Sequence, residues 1–297
     1  PHLIGLRILK PRDLFELFLL AALWGGSFLF TRIAVPEFGP FALIELRVGL
    51  AAVVLLPVLA LSSGLAQLWR RGPVLLVLGL TSSALPFVLY AYATLTVTAG
   101  FAAVVNATTP LFTALVAWLW LRDRLSAGAT LGLCAGVAGV VILVWDKLAF
   151  GGEGAGLAVA ACLGATLSYG ISASITKRYL TGAAPMVTAT GSQFYAALLL
   201  APLALAYWPE QPPSSGSWMA GILLAVLCTG LAFVLFFRLM ARVGPQRAVT
   251  VTLLIPVFGM LWGALFIDEQ VTVLMLVGSG IILFGTGLAT GVVRLPR

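Results

Sequence analysis

The sequence predicts an all-α integral membrane protein of ten transmembrane helices, arranged as two inverted five-helix repeats with both termini cytoplasmic. Three observations lead there. Hydrophobic residues make up 61% of the chain and charged residues 9%, with a mean hydropathy of +1.10, a composition that water-soluble globules do not carry. Ten apolar stretches of roughly 20 residues follow one another, each long enough to cross about 30 Å of hydrocarbon. The two halves of the chain also match each other almost without gaps, at offsets of 145 and 146 residues.

The spans fall near 14–35, 40–61, 73–93, 97–121 and 125–145, then 155–177, 185–208, 217–241, 246–267 and 271–293. Each reads as helix, because membrane barrels show short alternating segments and not long apolar runs. Span one is long and carries its charged flank on the retained side, so it reads as a permanent helix and not a cleavable signal; Pro1-His2 ahead of it reads as a processing scar. Shifted by 145, its Trp24, Gly25, Ser27, Thr31 and Arg32 coincide with Tyr169, Gly170, Ser172, Thr176 and Lys177 of span six. At the same offset Pro40 and Pro57 of span two coincide with Pro185 and Pro202 of span seven. Spans three and eight align at 146 through Phe87-Val88-Leu89 and Phe233-Val234-Leu235. Spans four and nine share Pro110/Pro256 and Phe112/Phe258, the turns after them share Asp123/Glu269, and spans five and ten share Gly132/Gly278 and Gly139/Gly285. The Pro212-Pro213-Ser214-Ser215-Gly216 stretch is a turn and not a domain linker. The chain thus divides into an N-terminal segment (1–12), a first repeat (13–146) and a second repeat (153–293). Five spans is an odd number, so the second copy crosses the bilayer in the opposite sense, as in many secondary transporters whose site lies near the midplane.

Orientation follows the excess of Lys and Arg in short cytoplasmic loops. Arg7, Lys10, Arg12, Arg70, Arg71, Arg122, Arg124, Lys177, Arg178, Arg242, Arg247, Arg294 and Arg297 fall on one side. The other side holds Lys147 and the boundary residue Arg32 with Glu37, Asp146, Glu153, Glu210, Asp268 and Glu269. The net charge of +7 reflects this bias and anionic headgroups, and no basic cluster interleaved with aromatics points to nucleic acid. The expected partners are membrane lipids and a small-molecule substrate. Cys134, Cys162 and Cys228 lie in apolar spans without metal-site spacing and read as packing residues. No P-loop, H-E-x-x-H or intramembrane catalytic set is present, so neither a cofactor nor a metal is expected, and enzyme chemistry is not supported.

Leu23-Trp24-Gly25-Gly26-Ser27-Phe28, Arg47 within Phe41 to Pro57, and the stretch from Ala99 to Val144 resemble the EamA-type repeat of the drug/metabolite transporter superfamily. The last stretch, with Pro110, the Arg122-Asp123-Arg124 turn and a glycine-spaced helix, recurs from Ala248 to Leu288 with Pro256, Asp268-Glu269 and Gly278. The resemblance covers essentially the whole chain. It implies a ten-helix inner-membrane exporter of amino acids, related metabolites or toxic organic compounds, working by alternating access. Within the superfamily the chain is similar to bacterial aromatic amino-acid exporters. An organic-cation exporter, a channel and a non-transporting scaffold are the other classes such a fold can serve.

Several residues are candidates for the pathway. Asn106, Thr109 and Thr113 share one helical face beside Pro110; they either line a cavity or bond a neighbouring helix at about 0.6 kcal/mol each. Pro256 and Thr252 match them in the second half. Ser83, Phe87, Tyr90 and Thr94 form a face of span three, and Phe233 and Phe237 one of span eight. Trp24, Phe28 and Tyr169 supply an aromatic wall at mid-span, whereas Trp118, Trp120, Trp208 and Trp218 read as interfacial. Aromatic walls favour flat apolar side chains or organic cations. Charges inside spans cost about 2.5 to 3.5 kcal/mol, which singles out Glu45 and Arg47. They do not face each other, and Glu45 is expected to reach Arg32; either serves as a structural clamp or contacts a substrate. Glu16 and Arg238 are read as snorkelling, with an inner gate as the alternative for Arg238. The Gly128-Gly132-Gly136 stripe with Gly139, and the Gly287-Gly291 pair, let helices approach closely, either as scaffold or as the face of a homodimer.

Overall fold

The computed structural model describes residues 10–62, 64–150 and 153–293, without the side chains of 146–150, 245 and 246. Pro1-His2, Arg7, Arg294 and Arg297 lie outside the described residues, as do the side chains of Asp146 and Lys147. Every element among the described residues is helical. Seven helices are long and apolar enough to cross a membrane, and two shorter apolar helices follow. Large apolar side chains face outward, among them Phe15 at 67% exposure and Leu205 at 79%, as expected of a surface solvated by lipid tails.

The first helix, α1 (Pro11–Leu61), runs for 51 residues but is broken at Gly39, whose φ of 71° leaves the helical region. Flanking Pro36 and Pro40 cannot donate backbone hydrogen bonds, and glycine alone takes positive φ without strain. The break gives two arms. The second arm, 40–61, has the bounds of α9 (Pro185–Ala206) shifted by 145. After the short α2 (Leu65–Arg70), a continuous helix is assembled from α3 (Gly72–Gly79), a π-helical segment Leu80–Ala84 and α4 (Leu85–Ala93). Pro86 withholds a donor at the start of α4, which loosens the preceding turn toward π geometry. A second π segment, Val226–Leu231, joins α10 (Ser215–Ala225) to α11 (Ala232–Val243) and starts 146 residues after the first.

Span four divides into α5 (Ala99–Asn106) and α6 (Thr109–Leu121), with Pro110 in the first turn of α6. The carbonyl freed at Ala107 accepts from Thr286 Oγ1 at 2.8 Å. Span nine is interrupted as well, next to the helix break read at Pro256: α12 (Pro245–Ala248) leads through a 3-10 segment, Val249–Leu253, into α13 (Ile255–Ile267), which carries Pro256 in its first turn. Both α6 and α13 end on a left-handed non-glycine residue, Arg122 and Asp268. The helices α7 (Ala127–Phe150) and α14 (Val273–Ala289) begin 146 residues apart. Between α6/α7 and α9 lies α8 (Ala155–Tyr179).

Glycines set three close crossings. A Cβ on Gly25 would lie 2.6 Å from Phe258 Cβ, and one on Gly170 would lie 2.9 Å from the Phe112 carbonyl carbon. A Cβ on Gly132 would lie 2.4 Å from the Gly285 carbonyl oxygen, and one on Gly278 would lie 3.1 Å from that of Gly139. Gly132 and Gly139 of the α7 stripe thus serve a close crossing with α14 within this chain, as a scaffold contact. The Gly287-Gly291 pair is not part of that crossing, since Gly291 sits at φ 73° beyond the end of α14. One further expectation is corrected: Cys134 is exposed, unlike the buried Cys162 and Cys228. Trp208 and Trp218, near helix ends, both meet Phe38 edge-on, at 6.3 and 4.9 Å.

Candidate functional site

The first arm of α1, the α3–α4 helix, α8 and the broken α5–α6 helix converge on a central layer of rings. Phe28 meets Tyr90 edge-on at 5.3 Å, and Tyr90 stacks on Tyr169 at 6.5 Å. The Tyr90 hydroxyl donates to Asn106 Oδ1 at 3.2 Å, one residue before the helix break. Thr109, just past the break, has a buried hydroxyl with no partner, while Thr113 donates back to the Thr109 carbonyl. Tyr169 packs against two of the buried clusters and so joins the two sides of the layer.

Arg47 lies on the other side of Tyr169. It is 8% exposed; its Nε donates to Thr229 Oγ1 at 3.0 Å, and its guanidinium carbon sits 3.6 Å from the centroid of Phe87. The Thr229 hydroxyl donates in turn to the Leu224 carbonyl, so the second π segment fixes the acceptor that Arg47 uses. The first π segment serves a matching contact: Ser83 Oγ accepts from Gln193 Nε2 at 2.9 Å. Among the described residues Arg47 has no carboxylate within ion-pair range. A desolvated guanidinium in a bilayer costs about 2.5 to 3.5 kcal/mol, which a ring face offsets only in part. Glu45 does not reach Arg32, contrary to expectation; its Oε2 is buried without a partner among the described residues. Arg32 is occupied elsewhere, and two residues along a helix points Glu45 away from Arg47 as well.

Other predicted residues fall outside this layer. Phe233 and Phe237 stack on each other at 6.2 Å, and Trp24 meets Phe233 at 6.4 Å and Phe236 at 5.2 Å. Phe236, three residues after Phe233 and so on the same helical face, was not singled out by the sequence reading. Trp24 touches both this cluster and the central one. Thr252 returns its hydroxyl to the Val249 carbonyl and joins neither. Gln193, fully buried, also escaped the sequence reading, although an amide in an apolar helix is itself a signal.

The remaining charges mark the two ends of the bundle. At one end Arg32 donates to the Thr94 carbonyl and lies 3.9 Å from Glu269. The Glu269 carboxylate accepts from the backbone N–H groups of Ala99 at 2.8 Å and Gly100 at 3.2 Å, capping α5 where its dipole is positive. A cavity of about 520 Å³ opens beside them. Glu269 was read as a loop acid. At the opposite end Lys177 pairs with Asp123 at 2.6 Å. There too Glu16 is buried and not snorkelling: it receives Arg238 at 2.8 Å and also Arg242, which bonds Asp13 at 2.8 Å. Arg238 is thus tied into an ion network joining α1 to α11.

Comparison with known proteins adds a family to this geometry. The model of the EamA-like transporter family matches twice, over residues 14–145 and 156–291. An uncharacterized transporter of Archaeoglobus fulgidus is 22% identical over 90% of this chain and 94% of its own length. The uncharacterized transporter YvbV of Bacillus subtilis is 23% identical over 91% and 88%. A solved crystal structure, 21% identical, superposes with a TM-score of 0.68 over 96% of this chain and 99% of that one, a likeness of fold alone. With a helical bundle of membrane-spanning dimensions and both halves matched, the chain belongs to the EamA-like transporter family.

Proposed function

We propose that this transporter exports small hydrophobic and aromatic amino acids, and related metabolites, across the bacterial inner membrane. In this reading the chain has ten spans in two inverted repeats, 13–146 and 153–293, with both termini in the cytoplasm. The paired element boundaries and the twofold family match support the duplication; the gathering of Arg70/Arg71, Lys177/Arg178 and Arg238/Arg242 on the side opposite Glu37 and Glu269 supports the orientation. Alternating access then opens the Arg32–Glu269 end outward and the Glu16–Lys177 end inward.

The observation that carries the substrate assignment is the layer of Phe28, Tyr90 and Tyr169 beside an interrupted helix, with Asn106 and Thr109 at the break. Irregular backbone at membrane depth is tolerated where it is buried in protein or lines a cavity, and stacked rings receive flat side chains. Trp24 extends the wall toward α11. Counterflow in proteoliposomes loaded with a panel of amino acids tests this. Saturable exchange of phenylalanine, tyrosine or leucine, weakened at least fivefold by Trp24→Ala and by Tyr90→Ala, is expected; no exchange of any amino acid by the wild type would overturn it.

The unpartnered Glu45 carboxylate oxygen favours one alternative, export of organic cations. That alternative requires Glu45→Gln to abolish cation flux while sparing zwitterions.

A further inference from the structure

We propose that Arg47 is the anion anchor of the transport site: its outer guanidinium nitrogens take the carboxylate of the substrate, and the substrate class is therefore carboxylate-bearing. The inference rests on the central layer being the substrate site. Arg47 is more than nine-tenths buried, yet its interactions among the described residues are one hydrogen bond from Nε and a ring face. Nε points at Thr229 and the flat face lies on Phe87, so the plane of the group is fixed. The fork formed by Nη1 and Nη2, which matches a carboxylate with two parallel hydrogen bonds, is the part left unused.

The fold does not call for this charge. Position 47 corresponds at the 145 offset to Ser192, which donates its hydroxyl to the Ala189 carbonyl. Its neighbour Gln193 reaches the first π segment much as Arg47 reaches the second. One half of a duplicated frame thus keeps a neutral contact, and the other carries a costly cation at the same depth. Gln193 supplies the second observation: fully buried and held by Nε2 to Ser83, it leaves Oε1 without a partner among the described residues. Ser83 lies one helical turn before Phe87, the ring beneath Arg47, so the free acceptor and the free donor fork flank neighbouring turns of one helix face. A ligand with a carboxylate and an ammonium group, its side chain against Tyr90 and Tyr169, would satisfy both.

Exchange assays with purified full-length protein in proteoliposomes use three probes of one shape: phenylalanine, 3-phenylpropionate, which lacks the ammonium, and phenethylamine, which lacks the carboxylate. The wild type is expected to exchange phenylalanine and, more weakly, phenylpropionate, with phenethylamine at least tenfold slower. Arg47→Gln is expected to lose phenylalanine and phenylpropionate exchange at least tenfold, and Arg47→Lys to retain part of it as a single point charge. Wild-type protein that moves phenethylamine as fast as phenylalanine overturns the proposal without recourse to any variant. A folded Arg47→Gln protein that exchanges phenylalanine within twofold of wild type overturns it while leaving amino-acid export standing. Exchange of phenylpropionate but not phenylalanine, lost in Arg47→Gln, supports the anion site and overturns the amino-acid reading.

Discussion

Two corners of the molecule are built from residues that correspond at the repeat offsets, yet they differ in character. Arg32 and Glu269 correspond to Lys177 and Asp123. At the first corner the acid side chain is 10% exposed, caps α5 and faces an arginine that also holds the Thr94 carbonyl. At the second both partners are open to solvent, at 62% and 44%. A buried carboxylate that satisfies two backbone donors and a cation is expensive to disturb; an exposed pair contributes about 0 to 1 kcal/mol. The Lys177 end instead relies on Glu16, Arg238 and Arg242, whose counterparts at the other end are Ala161, Tyr92 and Thr96. The two ends are thus held by unrelated contacts at positions that correspond in the sequence, and each can be loosened without touching the other.

Glu16→Gln should have the largest effect, because three guanidiniums drawn to one buried carboxylate, those of Arg12, Arg238 and Arg242, lose it together. A loss of about 3 kcal/mol would lower the thermal unfolding midpoint in detergent, and an unchanged midpoint would show that the network does not hold α1 to α11. Glu269→Gln should come next at about 2 kcal/mol, with part of the cap surviving through the amide oxygen. Glycine crossings are the control for the shared frame: Gly25→Val and Gly170→Val should each cost about 1 to 3 kcal/mol by overpacking, and similar losses at both sites are expected because their contacts correspond. Gly39→Ala should cost about 1 to 3 kcal/mol from backbone conformation alone, because φ 71° with ψ 163° is a region essentially confined to glycine, and among the described residues nothing lies within 4 Å of the added methyl group. Lys177→Ala should be the mildest, below about 1 kcal/mol. A double-mutant cycle on Lys177 and Asp123 that matched the Arg32–Glu269 coupling would erase the contrast between the corners.

The order of helices was legible in the sequence because hydropathy and the repeat act on long stretches. Even local breaks were visible where proline causes them, as at Pro110 and Pro256. Pairings across helices were not. Glu45 was matched to Arg32 on position along the span, but depth says nothing about which neighbour a side chain faces, and Arg32 is taken by Glu269 and Thr94. Thr229 was not singled out, because its role depends on a π turn that sequence periodicity does not reveal. The Arg32–Glu269 pair, by contrast, could have been found. Both residues already stood in the offset alignment, opposite Lys177 and Asp123, and only their joint reading was missing.

The most direct test of the alternating-access account measures both ends in one sample. Spin labels at positions 95 and 270, beside Thr94 and Glu269, report one end, and labels at 124 and 178, beside Asp123 and Lys177, report the other. Distance distributions by electron–electron double resonance in proteoliposomes, with and without a transported amino acid, should shift in opposite senses, one pair widening as the other narrows. If both pairs widen together, or neither moves while the same preparation carries out exchange, the two corners are not alternating gates and the central account fails.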